Sequence, residues 1–171
     1  AAEQALKSIN SDIAIDGVVA DVTELNIAQL CSGSDILVDG SDNFEVRFLL
    51  NDYCVKNGVP WVYGAALASY GISFAIVPGQ TACLRCLFEN LPPSGSIETC
   101  ETAGILAPVI HIVSAFQASQ VLKLLIGEVP SKKVLQFDVW EDSVRFVSVT
   151  KPLAGCDCCQ DENFRYLDGE G

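Results

Sequence analysis

The sequence predicts an α/β fold in which a largely parallel, Rossmann-like sheet is flanked by helices. Short apolar strands alternate with helical segments over the first half of the chain, and a long helix precedes two further strand-like segments. With 171 residues, half of them hydrophobic, the chain is long enough to bury a sizeable core. We therefore predict a single domain over residues 1–171.

The first elements are predicted by hydrophobic period. Residues 1–9 place apolar side chains at helical spacing, and residues 12–22 alternate and are rich in Ile and Val, which predicts a strand. Thr23 is placed to cap the helix that follows. Residues 35–39 form a short continuous apolar run, which is typical of a strand buried on both faces of a parallel sheet.

The later elements are bounded by Gly and Pro signals. In chain order they are helix 44–57, strand 60–67, strand 70–77, helix 103–127 and a C-terminal β-hairpin of strands 133–139 and 143–149. Gly58 ends the first of these helices, and Pro108 is a candidate break in the second. Strand 70–77 alternates, which predicts that it lies antiparallel to its predecessor or at the sheet edge.

Four cysteines form two Cys-x-x-Cys pairs, Cys83 with Cys86 and Cys156 with Cys159. The pairs meet only if the chain folds back, and four thiolates then supply the tetrahedral shell that Zn²⁺ prefers. Four sulfur ligands leave no position for substrate. We therefore predict a structural zinc site that staples the tail, residues 151–171, to the body of the domain.

Disulfides, redox-active pairs and unlinked buried thiols are the alternatives to zinc. No secretory signal is recognisable in the sequence, so we expect a cytoplasmic protein, and a reducing cytosol disfavours structural disulfides. The register of the second pair stays open because Cys158 lies between Cys156 and Cys159. Cys158 is then a spare thiol that competes for metal or oxidises.

The charge and hydropathy of the chain exclude two classes of partner. The net charge of −12 argues against binding nucleic acid over a broad surface, which requires basic patches. No uninterrupted apolar run is long enough to span a bilayer. We therefore expect neither a nucleic-acid nor a membrane partner.

Asp42 is the first candidate for chemistry. It follows the predicted strand 35–39 at the start of a helix, where carboxylates hold the Mg²⁺ that bridges nucleotide phosphates. The alternative is that Asp42 or Ser41 only caps the helix. Arg47, on the first turns of that helix, reaches phosphates or forms a surface pair with Glu45 or Asp52, and we expect the surface pair.

Cys100 is the second candidate. It lies in a Gly-, Ser- and Thr-rich loop just before the long helix, and a helix N-terminus lowers the pKa of a thiol and makes it a better nucleophile. Glu98 and Glu101 oppose that shift. Cys100 is therefore a candidate nucleophile, with an inert buried thiol as the alternative. The surrounding loop, residues 78–102, is long for a compact domain, which indicates function or mobility.

These pieces together resemble the ThiF/MoeB/HesA adenylyltransferases, bacterial relatives of the ubiquitin-activating enzymes. The segments that carry the resemblance are, in order, DILVDGSDNFEVRFLLNDYCVKNGVPWVYGAAL, CLRCLFENLPP, TCETAGILAPVIHIVSAFQASQVLKLLIG and the late Cys-x-x-Cys pair. They cover nearly the whole chain, from Ala1 to about Cys159. Ser41-Asp42-Asn43, the two cysteine pairs and the segment 102–108 are specific in combination.

The resemblance implies an activity. Such enzymes use ATP·Mg to adenylate the C-terminal glycine carboxylate of a small ubiquitin-fold sulfur carrier protein ending in Gly-Gly, in thiamin or molybdopterin biosynthesis, and they release pyrophosphate. Asp42 matches the residue that holds magnesium and ATP, with Asn43 beside it. Cys100 matches the cysteine of the mobile crossover loop, which in some members takes the activated carrier as a thioester or acyl-disulfide. The zinc cysteines match Cys83, Cys86, Cys156 and Cys159. The family usually dimerises, so we expect a homodimer.

The sequence departs from the family pattern because the N-terminal nucleotide-binding half, with its glycine-rich phosphate turn, is missing. We therefore expect the chain to be the C-terminal part of such an enzyme and to bind ATP weakly or not at all by itself. A non-catalytic, zinc-stapled module that binds a carrier or another partner is the alternative. A dinucleotide-dependent oxidoreductase suits the sheet, but the cysteine pairs and the missing glycine fingerprint do not support it.

Overall fold

The computed structural model of the chain describes residues 1–88, 100–149 and 152–170, with the backbone alone at residues 100 and 101. These ranges hold helices and one five-stranded sheet. The helices are α1 Ala2–Ile9, α2 Ile27–Cys31, α3 Phe44–Asn57, α4 Leu84–Leu87, α5 Cys100–Ala103 and α6 Ala107–Leu125. The strands are β1 Leu37–Val38, β2 Trp61–Leu67, β3 Tyr70–Ile76, β4 Lys133–Asp138 and β5 Ser143–Ser148.

The sheet is mixed, with the order β1-β2-β3-β4-β5. Only β1 and β2 run parallel, joined through α3, and each later neighbour pairs antiparallel. The prediction of a largely parallel sheet is therefore wrong for the described part of the chain. Residues 12–22, the other segment expected to add a parallel strand, form no strand, so β1 and β2 are the one parallel pair among the described strands. The C-terminal hairpin and the antiparallel third strand are confirmed.

The first strand prediction is also wrong, because residues 12–22 form no strand in the structure. An alternating apolar pattern becomes a strand only where a neighbouring strand satisfies its backbone groups, and this segment pairs with none of the described strands. Thr23 begins a turn rather than the helix, since α2 starts at Ile27 with Asn26 as its N-cap. Strand β1 is shorter than predicted, and its Val38 is 54% exposed rather than buried.

Helix α3 agrees with its prediction at both ends. The Asn43 side chain accepts a hydrogen bond from the Val46 amide at 2.9 Å, which caps the N-terminus. Gly58, with φ +69°, closes the C-terminus in the left-handed region that glycine adopts without strain. The helix buries seven of its residues, so it lies within the core rather than on its surface. Side chains at the start of α3 and in its middle contact different parts of the chain.

The core lies on both faces of the sheet. The larger cluster joins α3 and the tail to β2 and β3, with Phe48, Trp61 and Tyr166 among its buried side chains. A smaller cluster holds α6 against the opposite face. Helix α6 starts at Ala107 rather than at residue 103, because Pro108 lies in its first turn and begins the helix instead of breaking it. By length and composition alone α6 would also suit a membrane span, which is weak evidence because core helices pass the same test.

Candidate functional site

The four predicted zinc cysteines lie together. The Sγ atom of Cys83 is 3.7 Å from those of Cys86 and Cys156, and Cys86 Sγ is 3.4 Å from Cys159 Sγ. All four ligand atoms lie within 4.8 Å of one another. Zn–S bonds of about 2.3 Å in a tetrahedron place the sulfurs about 3.8 Å apart. The quartet therefore has the dimensions of a Zn²⁺ site, and the predicted grouping is confirmed.

Neighbouring thiols alter the pKa values of three cysteines of the quartet. Hydrogen bonds to neighbouring thiols, first that with Cys83, raise the pKa of the Cys159 thiol, and burial raises it further. The pKa of the Cys83 thiol is raised as well, with its contact to Cys158 as the largest cause. The hydrogen bonds with Cys159 and Cys83 lower the pKa of the Cys86 thiol instead. A bound Zn²⁺ would deprotonate the thiols that coordinate it. The cysteines of the described residues form no disulfide, so the disulfide alternative finds no support.

Cys158 has a different environment from its neighbours and lies outside the quartet. Its fully buried Sγ atom donates to Asp52 Oδ1 at 3.3 Å and accepts from Asn51 Nδ2 at 3.3 Å. The structure thus groups Cys156 and Cys159, rather than Cys158, with Cys83 and Cys86. Cys158 is thus spare in the sense that it lies outside the group of four, and two polar side chains in the middle of α3 hold it.

A buried ion network accompanies the cysteines, and the sequence analysis missed it. The Arg85 guanidinium donates to Asp52 Oδ1 at 3.3 Å, to the Asn163 carbonyl at 2.8 Å and to the Asp157 carboxylate. Asp52 Oδ2 also accepts from the Tyr166 amide at 3.0 Å. Arg85 and Asp157 occupy the spacers of the two Cys-x-x-Cys pairs, and their opposite charges were the signal that could have indicated this contact.

Asp42 lies between the end of β1 and the start of α3, and it is exposed. The helix cap is Asn43, so the alternative in which Asp42 or Ser41 caps the helix is wrong. Within the described ranges, the hydrogen bond recorded for the Asp42 carboxylate is a long one from Asn43 Nδ2, at 3.4 Å. Its oxygens are therefore accessible to a cation. Carboxylate oxygens are the ligands that Mg²⁺ prefers.

Arg47 does not form the predicted surface pair. Its side chain is buried, and its Nε atom donates to Asp39 Oδ2 at 3.0 Å, in place of Glu45 or Asp52. Asp39 is also buried, and neither residue is placed to reach a phosphate directly. Helical spacing suggested partners on the same helix, whereas the true partner lies at the end of β1. The sequence analysis did not consider Asp39 as part of the site.

The second candidate for chemistry, Cys100, is only partly described. It begins α5, which lies just before α6, and its side chain is outside the described residues. Residues 89–99 of the predicted crossover loop are also outside the described part of the chain. The catalytic role of Cys100 therefore stays a prediction.

Known proteins resemble this chain in sequence over most of its length. The chain is 44% identical over 99% of its length to the sulfur carrier protein ThiS adenylyltransferase of Bacillus subtilis, and it covers 50% of that protein. It is 36% identical over 80% of its length to the SAMP-activating enzyme E1 of Haloferax volcanii, covering 51%. The chain thus spans about half the length of these relatives.

The fold also matches a solved structure. The crystal structure of E. coli MccB with ATP superposes with a TM-score of 0.74 at 19% identity, over 92% of this chain and 48% of that one. Identity this low supports the fold alone. The ThiF family model matches residues 1–158 and so includes the Asp42 turn and the first three zinc cysteines. The chain therefore belongs to the ThiF family.

Proposed function

We propose that the protein containing this chain adenylates the C-terminal glycine carboxylate of a small ubiquitin-fold sulfur carrier protein that ends in Gly-Gly. The observation that carries the proposal is the exposed Asp42 carboxylate beyond β1, in a chain similar to a ThiS adenylyltransferase. Ligands of open α/β sheets bind beyond the carboxyl ends of parallel strands, and β1 and β2 are the parallel pair. Thiamin or molybdopterin biosynthesis is the proposed setting.

The chemistry requires positioning more than covalent work by the protein. A carboxylate oxygen of the carrier attacks the α-phosphorus of ATP, the bond to the β-phosphate oxygen breaks, and pyrophosphate leaves. Asp42 would hold Mg²⁺ and, with Asn43 beside it, orient the ATP; the ion would neutralise charge on the phosphates. Bringing carboxylate and phosphate together in line supplies much of the acceleration.

The zinc in this proposal is structural. Cys83, Cys86, Cys156 and Cys159 would supply four ligands, and a site with four protein ligands has no open position for substrate or water. Its proposed role is to hold the tail against α3 and α4. The Asp52–Arg85–Asp157 network beside it supports that role, because it links the same segments.

The remaining parts of the proposal concern organisation. Residues 1–171 are proposed as one domain, the C-terminal part of the adenylating fold, and the large core supports this because it joins α2 to the tail. Residues 78–102 form the proposed zinc and crossover loop, in which Cys100 takes the activated carrier, and residues 151–171 form the tail. A cytoplasmic homodimer is proposed by analogy with the family.

The test is carrier-dependent exchange of pyrophosphate into ATP by the complete protein, with candidate carriers ending in Gly-Gly. Exchange with one carrier, abolished by Asp42→Ala, is the expected result and names the pathway. Asp12→Ala, an exposed carboxylate in the N-terminal segment, is the control and should exchange normally. Zinc-loaded, folded protein that binds a carrier without exchange would instead favour the non-catalytic binding module.

A further inference from the structure

We propose that Asp39 and Arg47 are positioning residues that fix the orientation of Asp42 toward the metal. The inference rests on the proposed magnesium role of Asp42 and goes beyond it, because neither residue is placed to touch ATP. Asp39 and Arg47 form a buried ion pair, whereas the Asp42 carboxylate is exposed. Ser41 connects the ion pair to Asp42.

Ser41 is held at three of its atoms by the ion pair. Asp39 Oδ1 accepts from the Ser41 amide at 2.9 Å and from the Ser41 hydroxyl at 2.7 Å. Arg47 Nη2 donates to the Ser41 carbonyl at 2.6 Å. The peptide unit that leads into Asp42 is therefore clamped on its carbonyl side. Charge-assisted bonds of this kind are roughly twice as strong as neutral ones.

The ion pair is in turn anchored to the sheet and to α6. Arg47 Nη2 lies 3.3 Å from the Gly64 carbonyl of β2, and the Gly64 amide donates to Asp39 Oδ2 at 3.4 Å. Gln117 Nε2, from α6, donates to the Asp39 carbonyl at 2.8 Å and to that of Val62 at 3.2 Å. Strand β2 and a helix on the other face thus hold the clamp, whose Asp39 directly follows β1.

Asp42 depends on this clamp because little else holds it. Within the described residues, the side-chain hydrogen bond of Asp42 is the long one from Asn43 Nδ2. The Asn43 side-chain oxygen already accepts the hydrogen bond that caps α3. The direction of the Asp42 carboxylate is therefore set by its backbone. Ligands of Mg²⁺ must meet a nearly ideal octahedral geometry, so a small rotation at Ser41 weakens the site.

The decisive variant is Arg47→Lys in the complete protein. Lysine keeps the positive charge near Asp39 but lacks the planar fork that binds Asp39, Ser41 and Gly64 together. We expect the magnesium concentration for half-maximal pyrophosphate exchange to rise about tenfold, with the maximal rate recovered at high magnesium. If Arg47 had a purely structural role, Arg47→Lys would lower the amount of folded enzyme, and added magnesium would not restore the exchange rate.

Arg85→Lys is the matched control. Arg85 is another buried arginine that pairs with carboxylates, and one of these, Asp52, lies near the middle of α3. This control variant should lower thermal stability while leaving half-maximal magnesium unchanged. Ser41→Ala removes only the hydroxyl bond to Asp39, and it is the test of the inference if Arg47→Lys does not fold. We expect it to raise the magnesium concentration for half-maximal exchange about threefold.

The outcomes separate the inference from the proposed function. Wild-type exchange that Asp42→Ala abolishes, with unchanged magnesium dependence in the folded Arg47→Lys or Ser41→Ala variant, overturns the inference alone. A rate loss that high magnesium does not restore also overturns it. Absence of exchange in the wild type, or normal exchange in Asp42→Ala, overturns both.

Discussion

Replacing Arg85 by Met removes the cation that links the two Cys-x-x-Cys turns. The Asp52 side chain, with no exposed surface, then stays in the core without its partner, and stranding a buried charge costs about 3–5 kcal/mol. Asp157 is 40% exposed, so its part of the network contributes less than about 1 kcal/mol. Asp52 keeps its bonds from Cys158 and Tyr166. We therefore expect Arg85→Met to lower the free energy of unfolding by about 3–4 kcal/mol.

The assay is urea unfolding of the zinc-loaded complete protein, with Arg145→Met as the control. Arg145 is exposed on β5, and its loss should change the free energy of unfolding by less than about 0.5 kcal/mol. Adding Asp52→Asn to Arg85→Met removes the stranded charge and should restore about 1–3 kcal/mol. A loss below about 1 kcal/mol, or no recovery in the double variant, would refute the reasoning.

The same variant has a pH dependence of known sign. Burial raises the pKa of Asp52 above 3.8, and the Arg85 charge is the largest of the opposing effects. Without Arg85 the folded-state pKa of Asp52 rises further. A group whose pKa is higher in the folded than in the unfolded state makes the protein less stable as the pH rises from the unfolded-state pKa through the folded-state pKa. The deficit of Arg85→Met relative to wild type should therefore be largest above the folded-state pKa and shrink as pH falls toward 3.8.

Two further predictions concern the zinc site and the packing of α6. Cys83→Ser should bind less than one zinc per chain by elemental analysis and melt at a lower temperature, whereas Cys158→Ala should retain the metal; equal zinc loss in both would contradict the assigned ligands. Gly64→Ala places a Cβ atom 2.5 Å from Gln117 Nε2 and should cost about 1–3 kcal/mol in urea unfolding. Gly40→Ala, whose Cβ meets nothing within 4 Å, is the control, and an equal cost would disprove the clash.

Local signals in the sequence predicted the parts of the fold that depend on near neighbours. The end of α3 was predicted from Gly58, whose backbone freedom acts within one turn; its start was predicted correctly as well, although the cap is Asn43 rather than Asp42 or Ser41. The group of four cysteines was predictable for a different reason, since the tetrahedral shell that Zn²⁺ prefers requires two distant Cys-x-x-Cys pairs to meet whatever the path between them.

Other features depend on partners that periodicity does not identify. Arg47 has carboxylates close to it on its own helix, yet it pairs with Asp39, because the end of β1 presents a desolvated carboxylate that needs a cation. Segment 12–22 has the pattern of a strand, but no described strand pairs with it. The prediction of a largely parallel sheet failed for the same reason, since without a strand at 12–22 only β1 and β2 run parallel among the described strands.

The position of the tail in the core has a consequence for biosynthesis. Tyr166 stacks on Phe48 with ring centroids 4.9 Å apart, and Cys158 and Tyr166 supply bonds to the buried Asp52. A ribosome makes these partners more than a hundred residues after α3. Until then the nascent chain exposes an aromatic ring and a carboxylate that belong inside. Its α3 surface is thus a place where chaperones would act before release, and where premature termination would leave an aggregation-prone product.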